Sequence, residues 1–107
     1  MKKYRVILHP EAEDDISSSY EWGCRVWGKE RARAWVRDLR RAIKERLTSM
    51  PLGCSVAPES DDLDTEIRQL IVHRYRVLFI VERKTVTILH VRGPYVAKLR
   101  TGKAAEE

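Results

Sequence analysis

The side chains best equipped for chemistry gather late in the chain: Arg68, Arg74, Arg76, His90 and Arg92, followed by Tyr95 and Lys98. Residues 66–103 hold nine basic residues against only Glu66 and Glu82. Such a surplus implies an anionic partner, either nucleic acid or an acidic protein segment; the competing explanation is a solvated basic face that serves solubility. The preceding segments differ. Residues 10–48 nearly cancel, with nine basic against eight acidic, and residues 49–65 are purely acidic through Glu59, Asp61, Asp62 and Asp64. Cys24 and Cys54 lie 30 residues apart with no CxxC or Cys/His cluster near them. Metal ligation needs three or four ligands at closed spacing, so no metal and no cofactor site is expected, and both thiols should be free.

The elements that position these residues can be read from periodicity. Residues 3–9 read as a strand, with Tyr4, Val6 and Leu8 alternating with Arg5, Ile7 and His9. Pro10 suits the first position of a helix, and Glu11, Glu13, Asp14 and Asp15 suit the positive end of its dipole. Ala12, Ile16, Tyr20 and Cys24 recur every fourth residue, so this helix should reach about residue 24. Gly23 and Gly28 bracket an expected turn that contains Trp22 and Trp27. A second helix is expected over 29–48. Ala32, Trp35, Val36, Leu39, Ala42, Ile43 and Leu47 form its apolar stripe, with Arg33, Arg37, Arg40, Arg41 and Lys44 on the other side. Pro51 and Gly53 end it.

Residues 54–65 carry turn formers and no period, so a loop is expected. Three strands should come next, at 67–72, 75–82 and 85–92, with tight turns at His73–Arg74 and Arg83–Lys84. Residues 75–82 are apolar on both faces, as befits a central strand. The expectation is one α+β domain over residues 1–100, ordered β-α-α-β-β-β, with a tail at 101–107. Its helical hairpin should cover one face of a small, largely antiparallel four-stranded sheet. Val77, Phe79, Val81 and Trp35 should be buried together. Trp22 and Trp27 should pack on the hairpin or anchor a protein interface. The other sheet face is left for function. No apolar run approaches the roughly 18–20 residues that cross a bilayer, and the N-terminus is too interrupted for a signal peptide, so a cytoplasmic protein is expected without membrane contact.

Several phrases resemble the RelE/ParE superfamily of toxins. YRVILHPEAEDDI at 4–16 is similar to its opening strand, proline and acids. WGKERARAWVRDLRRAI at 27–43, with the L-x-x-x-P-L-G exit at 47–53, resembles the second helix of the ParE branch. IRQLIVHRYRVLFIVERKTVTILHVRG at 67–93 is similar to the Arg-x-Leu, Tyr-Arg-Val and Val-Arg strands. The resemblance spans about residues 3–99 and implies the growth-inhibiting toxin of a type II toxin–antitoxin module, neutralised by a cognate antitoxin. The family's targets divide between DNA gyrase and ribosome-bound mRNA, the latter cut without a metal ion.

If this chain is a ribosome-dependent endonuclease, the resemblance assigns Arg76 to the transition-state phosphate and brings Arg92 and Tyr95 near the family's late basic and aromatic positions, while alternation along the last strand puts His90 on the same face as Arg92; these are the candidate catalytic residues. Cleavage needs the 2′-OH deprotonated, the phosphorane charge stabilised and the leaving oxygen protonated. His90 is the candidate base. Equally, Arg76 can make an ion pair with Glu13 or Asp14, and His90 can be a hydrogen-bonded strand residue. Ile67 and Gln69 stand where the nucleases carry lysines, and the last strand ends in Arg-Gly-Pro-Tyr. These departures tilt the reading towards gyrase; an inactive basic binding module is a further alternative. Arg68, Arg74, Arg76, Arg92 and Lys98 are the candidates for holding an anionic partner. That partner is expected to be an acidic C-terminal segment of the antitoxin, forming a hetero-oligomer and folding as it binds.

Overall fold

The computed structural model describes residues 3–62 and 65–93. Strand β1 (Arg5–Leu8) leads directly into helix α1 (Pro10–Val26). His9 caps that helix, its Nδ1 accepting the Glu11 N–H at 3.1 Å, and Pro10 occupies the first turn, where a missing N–H is harmless. Trp27 and Gly28 alone connect α1 to helix α2 (Lys29–Ser49). Gly28 has φ +98°, a backbone that a side chain would strain, and it lets the chain reverse. Gly23 is not part of that turn: it lies buried within α1, where a Cβ would come within 3.0 Å of the Trp27 ring and 3.3 Å of Ala32 Cβ. Its role is to let the two helices approach.

Beyond α2, strands β2 (Ser55–Val56), β3 (Arg68–Val72), β4 (Tyr75–Glu82) and β5 (Thr85–Arg92) complete the sheet. The strand order is β1-β5-β4-β3-β2, so the sheet has five strands rather than the four expected. The expected loop at 54–65 contributes the extra one, β2, which adds to β3 at an edge and is succeeded by a 3₁₀ turn over Pro58–Asp62. A two-residue strand has no periodicity to read, because alternation needs several residues to register. The sheet is mixed. β1 runs parallel to β5, with Arg5 opposite Thr85, while all other neighbours are antiparallel.

The main core lies between helices and sheet. Ile16 of α1 and Leu39, Ile43 and Leu47 of α2 pack against Val77, Phe79, Val86 and Ile88, all inaccessible or nearly so. Val77 and Phe79 are fully buried as expected, whereas Val81 and Trp35 are only partly buried against the same cluster. Trp35 tilts against Tyr75 at 4.7 Å between ring centroids, and Trp22 and Trp27 meet edge-on at 5.4 Å. A smaller apolar cluster of Ala57, Ile67 and Leu78, with Ile80 and Leu89 against it, lies on the opposite face. That face is therefore covered in part by the segment leading into β3.

Candidate functional site

On the face away from the helices, cross-strand pairing assembles two rows. Gln69, Leu78 and His90 lie opposite one another in the first; Ile71, Arg76 and Arg92 form the second. Simple alternation would have put His90 and Arg92 on the same side as Val86 and Ile88, inside the core. A register shift between Leu78 and Phe79 prevents this, because Leu78 pairs with His90 but Phe79 pairs with Ile88. Leu89 is the extra residue of a bulge, and the bulge re-aims the side chains after it. Val91 then turns to the core while His90 and Arg92 turn out.

Arg76 is tied from two directions. Its Nε and Nη2 donate to Gln69 Oε1 at 3.0 and 2.8 Å, and Nη1 and Nη2 donate to the two oxygens of Glu59 at 3.1 and 2.8 Å. The expected partners Glu13 and Asp14 are not involved; Glu13 instead pairs with Arg40 at 3.1 Å. Glu59 is positioned by the 3₁₀ turn, which is anchored where Ser60 Oγ donates to the Ile67 carbonyl at 2.8 Å and accepts its N–H at 2.6 Å. The hydrogen bond from Arg76 holds the Glu59 carboxyl below the ordinary carboxylate range; a backbone N–H and the charges of Arg76 and Arg92 act in the same direction, against a smaller effect of burial.

His90 is held as firmly. Its Nδ1 lies 3.2 Å from Asp15 Oδ2 and its Nε2 lies 3.2 Å from Glu11 Oε1, and Asp15 Oδ2 also accepts the Val91 N–H at 2.9 Å. The contacts clamp β5 to α1.

The remaining candidates scatter. Arg68 points to the other side of the sheet, where it donates to the carbonyls of Leu52 and Cys54 at 3.4 and 2.6 Å and pairs with Glu66 at 3.1 Å. It braces the exit of α2 and is not brought to Arg76. Arg74 is exposed in the β3–β4 turn, and Arg92 is exposed at the end of β5. Tyr95 and Lys98 lie outside the described residues. Beside Leu78 and His90 of the first row opens a cleft of about 350 Å³, lined by the apolar Ile67, Leu78 and Leu89 and by His9, Glu11, Glu59, His90 and Arg92. Among the described residues no group of His, Cys, Asp or Glu is arranged to hold a metal ion. Among them, too, no helix is long and apolar enough to cross a membrane. Burial pushes the Cys54 thiol up, and the charges of Arg46 and Arg68 offset part of that effect.

Glu59, Gln69, Asp15 and Glu11 were read in the sequence in other roles, not as the partners of Arg76 and His90. The Arg76–Glu59 pair spans 17 residues and the His90–Asp15 pair spans 75, so no local spacing encodes either.

The architecture is a helical hairpin over a mixed sheet. It is similar to a solved structure described as "Chromosomal ParDE TA system from P. aeruginosa", with a TM-score of 0.71 at 18% identity, covering 85% of this chain and 96% of the other. At that identity the likeness is one of fold. The sequence supplies the family: the model for the ParE toxin of the type II toxin–antitoxin system, parDE, matches residues 6–93, and the chain belongs to that family. No curated protein matches it.

Proposed function

We propose that this protein inhibits growth by binding a protein target, DNA gyrase as in the ParE branch, and that a cognate antitoxin with an acidic C-terminal segment neutralises it. The observation that carries this reading is the engagement of Arg76. A guanidinium that must stabilise a pentavalent phosphate has to present its donors to the substrate, and here a carboxylate and an amide take four hydrogen bonds from it. Displacing Glu59 would add a cost to every catalytic encounter. His90, the candidate base, has a carboxylate oxygen 3.2 Å from each ring nitrogen, so both nitrogens face Glu11 and Asp15 rather than a substrate.

The test sets gyrase supercoiling beside cleavage of ribosome-bound mRNA, using the same folded protein and its Arg76→Ala and His90→Ala variants. Inhibition of supercoiling without mRNA cuts, with the variants altered only as far as their folding is altered, supports the proposal. Clean cuts at codon positions, reduced on the order of 10²–10³-fold in Arg76→Ala as when one oxyanion donor is lost, would replace it with the nuclease reading. Antitoxin association should slow steeply from low to physiological salt if charge steers the encounter.

A further inference from the structure

Among the described elements, the densest run of cations is on α2 rather than on the sheet. α2 carries eight basic residues against three acidic, while α1 carries five acidic against Arg25 alone. Along α2, Arg33, Arg37, Arg40, Arg41 and Lys44 are all exposed and recur at steps of three and four residues, so they share one flank. The track runs about 16 Å at the rise of an α-helix. Its internal neutralisation is slight. Arg40 meets Glu13 at 3.1 Å and Arg37 touches Asp38 at 3.8 Å, while among the described residues Arg33, Arg41 and Lys44 have no carboxylate partner.

From this we infer that the α2 flank is a binding track for the phosphate backbone of a nucleic acid. Two anionic classes of partner compete for it; an apolar cleft lined by Val6, Leu8 and Ile43 adjoins Arg40 and Lys44, but the donor chemistry of the track favours phosphate. An amphipathic acidic peptide draws its affinity from apolar anchors. The large exposed hydrophobic residues among those described are Ile7, Val26, Met50, Leu52, Val56 and Ile71, and none belongs to α2. A phosphate chain needs only regularly spaced donors, and four of the five here are arginines, whose forked guanidinium matches phosphate geometry. Beside them an open cleft of about 350 Å³ places Tyr20 among Arg33, Arg37 and Arg40, the interleaving of aromatic and cation that unpaired bases use. Like charges four residues apart oppose helix formation, so the fold gains nothing from this arrangement. The inference goes beyond the toxin reading and stands whichever target is right.

The experiment measures anisotropy of a labelled single strand and of a mixed-sequence duplex of equal length, titrated with the full chain over a range of salt. Preference for one arm identifies the strandedness. Two variants with the same charge change are compared: Arg33→Gln/Arg41→Gln on the track, and Arg31→Gln/Arg46→Gln elsewhere on the same helix, each verified as folded by circular dichroism. The track pair should weaken binding by about tenfold at low salt and flatten the log–log salt slope by about 1 per cation removed, whereas the other pair should stay within about twofold. Equal loss in both pairs would reduce the effect to net charge and overturn the inference. So would absence of binding by the unaltered chain, or binding of a polyglutamate peptide in preference to both oligonucleotides.

Discussion

The guanidinium of Arg76 on β4 donates four hydrogen bonds to Glu59 and Gln69, whereas that of Arg41 on α2 meets no carboxylate among the described residues. Both belong to basic stretches of the sequence, and a count of charges treats them alike. The fold does not. On the sheet, bulge and 3₁₀ turn bring acids from distant segments onto Arg76 and His90, so these side chains are tied within the fold. On α2, the acids of the adjacent helix are used sparingly, and the cations remain for a partner. Charge is available for recognition only where the chain has not already answered it.

Four measurements sharpen or break this contrast. The largest effect is expected at Asp15. Asp15→Ala removes the acceptor for the Val91 N–H and half of the His90 clamp, and should cost about 2–3 kcal/mol in denaturant unfolding, as for hydrogen bonds to a charged group. A cost below about 0.5 kcal/mol would mean that the sheet cations are not structural. Next is a double-mutant cycle of Arg76→Ala with Glu59→Gln. Both side chains are about one-third exposed, so solvent screening limits the coupling to about 0.5–1 kcal/mol.

The third measurement tracks stability against pH. The folded protein holds Glu59 below its ordinary range, so this pair's contribution is present above the unfolded carboxyl's titration and is lost as pH falls through the folded one. In Glu59→Gln that acid-side component should vanish; an unchanged pH profile would contradict the ion pair. The smallest effect is expected on α2. Arg33→Gln/Arg41→Gln should change stability by no more than about 0.5 kcal/mol, in the stabilising direction, since each removes a like-charge neighbour of Arg37. A marked destabilisation would place the track in the fold rather than on its surface.

Most of the architecture could be read from periodicity. Both helices, their joint near Gly28 and the strands β3, β4 and β5 lie within two residues of their expected bounds, because each is long enough for its apolar pattern to repeat. The features that escaped were short or distant. β2 has two residues, and the parallel pairing of β1 with β5 joins opposite ends of the chain. The site was legible as a collection of residue types but not as a set of contacts. Nothing near Arg76 in sequence points to Glu59, and the bulge at Leu89, which turns His90 and Arg92 together to the outer face, has no sequence signal. The α2 track was legible as a row of residues, but its charge was masked. Counted together, residues 10–48 look neutral, because the acids of α1 cancel the bases of α2; the two separate only when each helix is considered alone.

The pairing of β1 with β5 also sets an order of events in synthesis. Arg5 to Leu8 hydrogen-bond in register with Thr85 to Ile88, so the first strand made waits for the last. Until then, β1 has no sheet partner and α1 lacks the surface formed by Val86 and Ile88. Contacts of such sequence separation carry a large loop-closure entropy and slow the final docking step. A growing chain released before residue 88 cannot close its sheet, and the sheet-face cleft, whose rim includes His9 from the start and Arg92 from the end, forms last. The topology delays maturity until translation has passed almost every residue of the domain.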